Sequence, residues 1–206
     1  MRLFHFPLSS NGRRVTLTAA HLGLPLEIVP VDLTKPEDRR RLTELNLNNK
    51  APVLDDDGFL LWESCAIMQY LAESVPGQTL YPPARQARAD VNRWLFWACQ
   101  HYAPALNVIA WENVWKGFAG RGAADPVELA RGERELERFA SVLDQHLAGR
   151  DWVVGTDVTL ADFALAAPMM YMERARQPLG QYAHLMRWFA RVQQLDAWRA
   201  TQPQRA

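Results

Sequence analysis

A carboxylate and a hydroxyl, Glu63 and Ser64, stand where two short apolar runs give way to a helical pattern. The runs at 53–54 and 59–62 are joined by an acidic turn that ends in Gly58. An Asp-Gly turn between apolar runs predicts a β-hairpin, so the two side chains lie where a strand leads into a helix. Free backbone N–H groups and the positive end of the helix dipole favour an anionic ligand at such a position.

A proline at the entrance of this hairpin adds a second feature. Pro52 follows Ala51 and directly precedes Val53. Proline tolerates a cis peptide bond, which would turn the chain and leave the next backbone groups open to another molecule. We therefore predict that the Ala51–Pro52 bond is cis and that Val53 offers its backbone to a ligand.

The order of these features, a proline followed by strand, turn, strand, Glu63 and Ser64, resembles the glutathione-binding half-site of the soluble glutathione transferases. The resemblance extends to the N-terminus, where an apolar strand at 3–6 is followed by a polar loop at 7–15 and a helix. It continues at 158–166, where the string VTLADFALA is similar to the family's buried C-terminal helix with its capping motif. The likeness covers essentially the whole chain.

The residue pattern changes character once along the chain. Short strands first alternate with helices, and the resemblance implies a thioredoxin-like α/β domain with a mixed four-stranded sheet over 1–76. Pro30 lies inside the second strand pattern, which predicts that this strand is at a sheet edge. A segment rich in proline and glycine at 77–85 indicates a linker. Everything after it is helical, so we predict an all-α domain over 86–206 that opens with a long helix at 86–116.

One helix start is predicted in detail. Thr159 is placed to cap a helix with its hydroxyl, and Asp162, three residues on, can reach back to complete a capping box. Val158 and Phe163 are positioned as a hydrophobic staple across that start. The run that follows is apolar all round, which predicts a buried helix, and Pro168 is expected to kink it.

The resemblance implies that a residue in the first loop activates the glutathione sulfur. The family uses Tyr, Ser or Cys there, and this loop offers only Ser9, Ser10 and Asn11. An arginine after these three residues and the segment Gly-Leu-Pro at 23–25 match serine-type members of the family. This match places the catalytic residue at Ser9. The string SSNG is also similar to Thr-Pro-Asn-Gly members, which makes Asn11 the second candidate and Ser10 the third. Alternatively, these polar residues only shape a turn and cap the helix near Arg13.

The resemblance also implies how the charges of glutathione are held. The γ-glutamyl carboxylate is expected at Ser64, the ammonium at Glu63 and the glycyl carboxylate at Lys50. The predicted glutathione-binding residues are Lys50, Ala51, Pro52, Val53, Glu63 and Ser64, with Arg39 and Arg40 assisting. Alternatively, the Glu-Ser pair is a simple helix cap, the lysine is a solvated surface residue and the arginine run at 39–41 is a solvated helix face.

Aromatic side chains crowd the first long helix of the helical half. Trp111 and Trp115 are four residues apart and share a helix face. Together with Leu8 they are the predicted lining of an apolar acceptor pocket. The alternative is that these aromatic residues belong to the core, as aromatic residues at helical spacing usually do.

Composition argues against several classes of function. The 206 residues are 49% hydrophobic and 22% charged, with a net charge of zero. This is typical of a globular chain and gives no global field for nucleic acid or an anionic membrane. No apolar stretch reaches the roughly 20 residues of a membrane-spanning helix. No histidines are paired at metal-ligand spacing, so we predict no metal, and the two cysteines make no framework of disulfides, which suits a reducing cytoplasm.

Taken together, the residues and the resemblance predict a cytoplasmic enzyme that conjugates the glutathione thiolate to small apolar electrophiles. Glutathione is then a co-substrate and no separate cofactor is expected. The family pairs through the helix after Glu63 and Ser64 and the first long helix of the second domain, so the resemblance implies a two-fold homodimer here. These surfaces include Met68, Gln69, Arg88, Asp90 and Arg93. Two alternatives are a glutathione-dependent disulfide reductase or peroxidase, and a non-catalytic protein that keeps the fold and binds glutathione or another ligand.

Overall fold

The structure of the protein is a computed structural model in which residues 1–203 are described. Its internal contacts divide the chain into two compact units. The first unit comprises residues 1–81 together with 194–203, and the second comprises 82–193. The division after Tyr81 falls inside the segment that the sequence predicts as a linker.

The first unit contains one four-stranded mixed sheet. Its strands are β1 (Arg2–His5), β2 (Glu27–Pro30), β3 (Val53–Asp56) and β4 (Phe59–Trp62), in the spatial order β2-β1-β3-β4. β1 runs parallel to β2 and antiparallel to β3, and β3 and β4 form an antiparallel hairpin. This topology confirms the predicted sheet, and it places the strand that ends in Pro30 at an edge.

Three helices cover the two faces of this sheet. α1 (Ser10–Leu22) and α3 (Ser64–Glu73) supply the core of one face, and α2 (Pro36–Leu45) contributes to the other. Consecutive strand residues point to opposite faces, so neighbouring strand residues belong to different clusters. The first cluster contains Leu3, Val15, Ala19, Leu54, Ile67 and Leu71, and the second contains Phe4, Val31, Leu42 and Val53.

The hairpin between β3 and β4 has the turn that its sequence predicts. Asp57 and Gly58 have φ values of 50° and 95°, as the tight turns of β-hairpins require. Asp55 accepts a hydrogen bond of 2.8 Å from the Gly58 N–H and is paired with Arg2. These two donors lower the pKa of Asp55, the Gly58 N–H more than Arg2. The Ala51–Pro52 bond before the hairpin is cis, as predicted.

The second unit opens with one long helical run. α4 (Arg85–Trp97), α5 (Ala103–Ala110) and α6 (Lys116–Phe118) are joined by π-helical segments at 98–102 and 111–115. The sequence predicts a long helix here but not the two wider segments. Pro104, two residues after the end of the first segment, has no N–H and crowds the carbonyl four residues before it. The helix therefore loses a regular hydrogen bond at this point, which gives a physical reason for the first segment.

Four further helices complete the described chain. They are α7 (Pro126–His146), α8 (Leu160–Ala166), α9 (Ala183–Gln193) and α10 (Asp196–Ala200). α8 passes directly into a 3₁₀ segment at 167–171 that contains Pro168. The predicted kink therefore takes the form of a change to a tighter helix.

Asp162 lies at the centre of the polar contacts that fix α8. Its carboxylate accepts hydrogen bonds from the N–H of Val153 at 2.9 Å and from the N–H and hydroxyl of Thr159 at 2.8 and 3.0 Å. A fourth comes from the indole N–H of Trp188 at 2.8 Å. Asp162 is completely buried, and these contacts confirm the predicted capping box while adding two donors that local sequence does not reveal.

The last described helix belongs to the first unit. The sequence assigns 86–206 to the helical domain, whereas the structure groups α10 with the sheet and α1. The guanidinium of Arg13 lies 3.7 Å from the ring centroid of Trp198, and its Nη2 donates to the Trp198 carbonyl at 3.1 Å. This contact joins residues far apart in the chain, so the helical pattern of 196–200 alone does not indicate it.

The four donors of Asp162 lead to a stability prediction. Asp162→Asn replaces one acceptor oxygen by an NH₂ group that faces buried N–H donors. Each buried donor left unsatisfied costs about 1–3 kcal/mol, so the free energy of unfolding should fall by about 2–4 kcal/mol in urea denaturation. Asp144→Asn is the matched control, because Asp144 accepts from the single N–H of Leu185. Equal losses in the two variants would contradict the prediction.

Candidate functional site

The loop after β1 ends at the start of α1, where Ser9 is the N-cap residue. Its hydroxyl oxygen accepts a hydrogen bond of 3.2 Å from the N–H of Gly12. The hydroxyl hydrogen is not used in this bond and can donate to a ligand. Ser10 is the first residue of α1, and Asn11 is exposed beside it. The capping alternative therefore holds for Ser9, and it is compatible with a second role because a cap uses only the oxygen.

Gly12 allows α1 to begin close to the sheet. A side chain at this position would collide with the ring of His5 on β1. His5 is buried, and burial lowers its pKa because a charged imidazolium would lose its hydration. The ring of His5 therefore lies directly beneath Gly12, whose N–H is capped by the Ser9 hydroxyl.

Arg14 connects this loop to the start of α3. Its guanidinium is buried, and its Nη1 donates to Asn11 Oδ1 at 2.9 Å and to Ser64 Oγ at 3.4 Å. The structure thus brings together Asn11 and Ser64, which sequence reasoning placed in one site without a physical link. Arg14 itself was missed, and an arginine on the first turn of α1, five residues after Ser9, is the only signal that would have indicated it.

Glu63 and Ser64 lie at the start of α3, as predicted. Ser64 is buried, whereas the side chain of Glu63 is exposed and makes no capping bond. The backbone of Glu63 has φ 72° and ψ 111°, a conformation that side-chain-bearing residues rarely adopt. Such strain costs about 1–3 kcal/mol and is concentrated at functional sites. It sets the direction in which the Glu63 carboxylate leaves the chain.

The other predicted anchors lie around the entrance to β3. Pro52 and Val53 are buried, Ala51 is half-buried and Lys50 is exposed. Val53 is level with Phe4 and Trp62 on the neighbouring strands. The Lys50 carbonyl accepts a hydrogen bond of 2.7 Å from Asn46 Nδ2, and this bond holds the segment before Pro52 in place. The Lys50 ammonium is left for solvent or a ligand.

The two assisting arginines lie on α2. The side chain of Arg39 donates through Nε to the Leu33 carbonyl at 2.5 Å, and Arg40 is exposed. Another cation, Lys35, lies at the start of α2 and was not predicted. It lines a groove of about 460 Å³ in the first unit. The groove is bounded by Phe6, Pro7, Leu8, Pro30, Val31, Asp32, Lys35 and Asp38.

The three residues predicted to line an acceptor pocket are placed differently. Leu8 lines the groove of the first unit, directly before Ser9. Trp111 and Trp115 belong to the second unit, where Trp111 is 38% exposed. Trp115 is half-buried and meets Tyr171 edge to face, with 5.1 Å between ring centroids. Trp115 therefore takes part in core packing, in line with the alternative for these aromatic residues, and Trp111 presents the larger free surface.

Residues 1–203 provide neither a metal site nor a membrane-spanning helix. Within this range no three His, Cys, Asp or Glu side chains are grouped so that they could hold a metal ion. None of the helices described there combines the length and apolar character needed to cross a bilayer.

Comparison with known proteins identifies the family. Residues 1–73 match the N-terminal domain of glutathione S-transferases, and residues 118–196 match the C-terminal domain. Mouse glutathione S-transferase theta-2 is 33% identical over 198 residues, which are 93% of this chain and 76% of the mouse protein. The chain belongs to the glutathione S-transferase family. This membership confirms the family resemblance found in the sequence, and it confirms the predicted enzyme class, a glutathione transferase.

Solved structures agree with this assignment. A glutathione S-transferase from Xanthobacter autotrophicus Py2 is 30% identical with a TM-score of 0.82, and the match covers 95% of this chain and 94% of that one. A Pseudomonas putida glutathione transferase, solved with one glutathione disulfide bound per subunit, is 28% identical with a TM-score of 0.85 and coverage of 98% and 90%. The fold class is confirmed. Glutathione conjugation is supported as the reaction, and the two alternatives are not favoured.

The buried His5 gives a pH prediction for the first unit. Because folding lowers its pKa, its contribution to stability is complete above the ordinary pKa of 6.5 and decreases as the pH falls below it. His5→Phe keeps an aromatic ring beneath Gly12 and removes the titration. The urea midpoint of the wild type should therefore fall more than that of His5→Phe between pH 7.5 and pH 5.5. His21, whose pKa is also lowered by burial, is present in both proteins and cancels. Parallel pH profiles of the urea midpoint in the two proteins would contradict a lowered pKa for His5.

Proposed function

We propose that this transferase is of the serine type and that the Ser9 hydroxyl donates a hydrogen bond to the glutathione thiolate. The observation that carries the proposal is the N-cap geometry of Ser9, which engages the oxygen with Gly12 and leaves the hydrogen for a ligand. The thiolate would also lie at the start of α1, where the helix dipole favours an anion. Asn11 is the second candidate for the sulfur contact and Ser10 the third.

Ionisation alone supplies little of the rate. A free thiol with a pKa near 8.5 is about 3% ionised at pH 7, and a shift of about two units makes it roughly 75% thiolate. The nucleophilicity of the thiolate falls with its pKa at a slope of about 0.4–0.5, so the net gain is only about threefold. Most of the acceleration must therefore come from holding the thiolate against the acceptor, which makes the anchoring residues as important as the sulfur donor.

The anchoring of glutathione follows from the charges of the site. In our proposal the γ-glutamyl carboxylate binds the Ser64 hydroxyl at the start of α3, and the ammonium binds the exposed Glu63. The cysteinyl backbone pairs with Val53 after the Ala51–Pro52 bond. The glycyl carboxylate is held by Lys50. Arg39 and Arg40 assist from α2, although the contact of Arg39 with Leu33 reduces its freedom to do so.

The acceptor in this proposal is a small apolar electrophile. Leu8 supports this class because it lies directly before Ser9 in the chain and shares a groove with other apolar residues, among them Phe6 and Val31. Trp111, with its free indole surface in the second unit, supports it independently. A panel of electrophiles assayed with glutathione would identify the acceptor. Comparing the activity with a chromogenic aryl halide to the activity with a mixed glutathione disulfide would separate conjugation from disulfide reduction. Detoxification of such compounds in a reducing cytoplasm is the proposed setting.

A two-fold homodimer is also part of the proposal. The edge strand β4 exposes Phe59, Leu60 and Trp62, with Phe59 at 53% and Trp62 at 42%. A sheet edge that carries exposed apolar side chains requires a cover. Met68 on α3, which the resemblance places in the surface through which the family pairs, is completely buried in this chain and cannot contribute.

The sulfur contact gives the central test. Ser9→Ala should raise the pKa of the bound thiol and lower kcat/KM about tenfold to a hundredfold, because hydrogen bonds to charged groups contribute roughly 1.5–3 kcal/mol. Ser64→Ala should act mainly on glutathione affinity. The pH profile of kcat/KM and the thiolate absorbance of bound glutathione measure the two effects. Ser10→Ala is the matched control, and a shift confined to Asn11→Ala would move the sulfur contact to Asn11.

The exposed edge gives a separate test of assembly. Phe59→Glu combined with Trp62→Glu should convert a dimer of about twice 23.5 kDa into the monomer in sedimentation at micromolar concentration. Val127→Glu is the control, because Val127 is an equally apolar residue that is 71% exposed on the second unit. A wild-type monomer would refute the homodimer, and a dimer that survives the double substitution would place its interface elsewhere.

A further inference from the structure

Arg14 contacts two of the side chains assigned to the glutathione site, although it lies outside the site as assigned above. It is 2% exposed, and its Nη1 carries two hydrogens that can serve Asn11 Oδ1 at 2.9 Å and Ser64 Oγ at 3.4 Å. We propose that Arg14 is a positioning residue that fixes the hydrogen-bond polarity of Asn11 and Ser64, so that both present hydrogens rather than lone pairs to glutathione. This inference rests on the proposed glutathione site.

The chemistry of the guanidinium group fixes the hydrogen-bond roles of its two partners. Arginine has only donors, so any atom that it contacts at hydrogen-bond distance must accept. The amide oxygen of Asn11 therefore faces Arg14, and its NH₂ group is directed away from Arg14. Ser64 Oγ likewise accepts, so the hydrogen of its hydroxyl is available for another partner.

The ligand is the reason that this polarity matters. Glutathione brings a thiolate and a γ-glutamyl carboxylate, which are both acceptors without hydrogens. An amide that turned its oxygen towards the thiolate, or a hydroxyl that donated its hydrogen into the protein, would repel these anions. Arg14 prevents both arrangements from one buried position. The N–H of Gly12 does the same for Ser9, whose oxygen it engages at 3.2 Å.

Lysine could not replace Arg14 in this role. The planar guanidinium directs its hydrogens along fixed lines, whereas an ammonium group on a flexible stem is a compact charge without a defined plane. The two acceptors belong to different elements, Asn11 to α1 and Ser64 to α3. One rigid donor group therefore orients both side chains at once. The two helix starts then both offer hydrogen-bond donors to the ligand.

The test compares Arg14→Met with the wild type by two readouts. The pKa of the bound thiol, followed by thiolate absorbance, measures the effect that Arg14 exerts through Asn11. The affinity for S-methylglutathione, which has no ionisable thiol, measures the effect that it exerts through Ser64. Arg14→Met should raise the bound-thiol pKa by about one unit and weaken S-methylglutathione binding about tenfold, as expected for losing an oriented hydrogen bond to an anion. Arg14→Lys should recover only part of either effect.

Two controls separate positioning from a general loss of structure. Arg13→Met removes the neighbouring buried arginine, which holds Trp198, and should lower the thermal midpoint without changing the bound-thiol pKa. Asn11→Asp, at an exposed position, keeps an acceptor for Arg14 but loses the outward NH₂ group. It should raise the bound-thiol pKa and leave S-methylglutathione affinity within twofold, and it keeps the inference testable if Arg14→Met does not fold.

The outcomes distinguish this inference from the proposed function. If Arg14 acts through Ser64, adding Ser64→Ala to Arg14→Met should weaken S-methylglutathione binding no further. If the effect of Arg14→Met is purely structural, the losses of affinity in the two single variants should multiply in the double variant. Suppose that the wild type binds S-methylglutathione and that Arg14→Met has the same bound-thiol pKa and the same affinity. This result would overturn the role of Arg14 and leave the proposed site standing. Failure of the wild type to bind glutathione or S-methylglutathione would overturn the proposed site and this inference with it.

Discussion

The site depends on the direction in which two strands run. β1 and β4 are both antiparallel to β3, so they point the same way. The helix that follows each of them, α1 after β1 and α3 after β4, therefore starts at the same edge of the sheet. Each helix start leaves backbone N–H groups without partners in the helix. One arrangement of strands thus brings two sets of unpaired donors to one place, before any side chain is considered.

Side chains then adapt this edge to an anionic ligand. Ser9 caps α1 and Ser64 begins α3, and the contacts that each makes within residues 1–203 use its oxygen and not its hydroxyl hydrogen. Gly12 is required because the close approach of α1 to His5 leaves no room for a side chain. Glu63 adds an exposed carboxylate on a strained backbone, and in the proposed site this charge holds the ammonium group of glutathione. The candidate site is therefore built on the starts of regular elements.

Local signals in the sequence were sufficient for much of this. The Asp-Gly turn, the cis bond at Pro52, the edge position of the Pro30 strand and the capping box at Thr159 each depend on a few neighbouring residues, and each was predicted. The link between Arg14 and Ser64 spans 50 positions, and that between Arg13 and Trp198 spans 185. Neither leaves a local pattern. The same is true of Lys35 in the groove and of the burial of Met68.

Two buried ionic groups illustrate how structural and functional polarity differ. Asp162 accepts hydrogen bonds from two backbone N–H groups and two side chains, and all four donors end at its carboxylate. Arg14 also engages its partners, but Asn11 and Ser64 each retain a hydrogen that is not used in that contact. In the first case the polar network closes on itself and fixes a helix start. In the second it remains open on one side, because within residues 1–203 the recorded contacts of Asn11 and Ser64 with Arg14 leave their hydrogens available for a ligand. An anion with two separated acceptor groups is the ligand that such an open network selects.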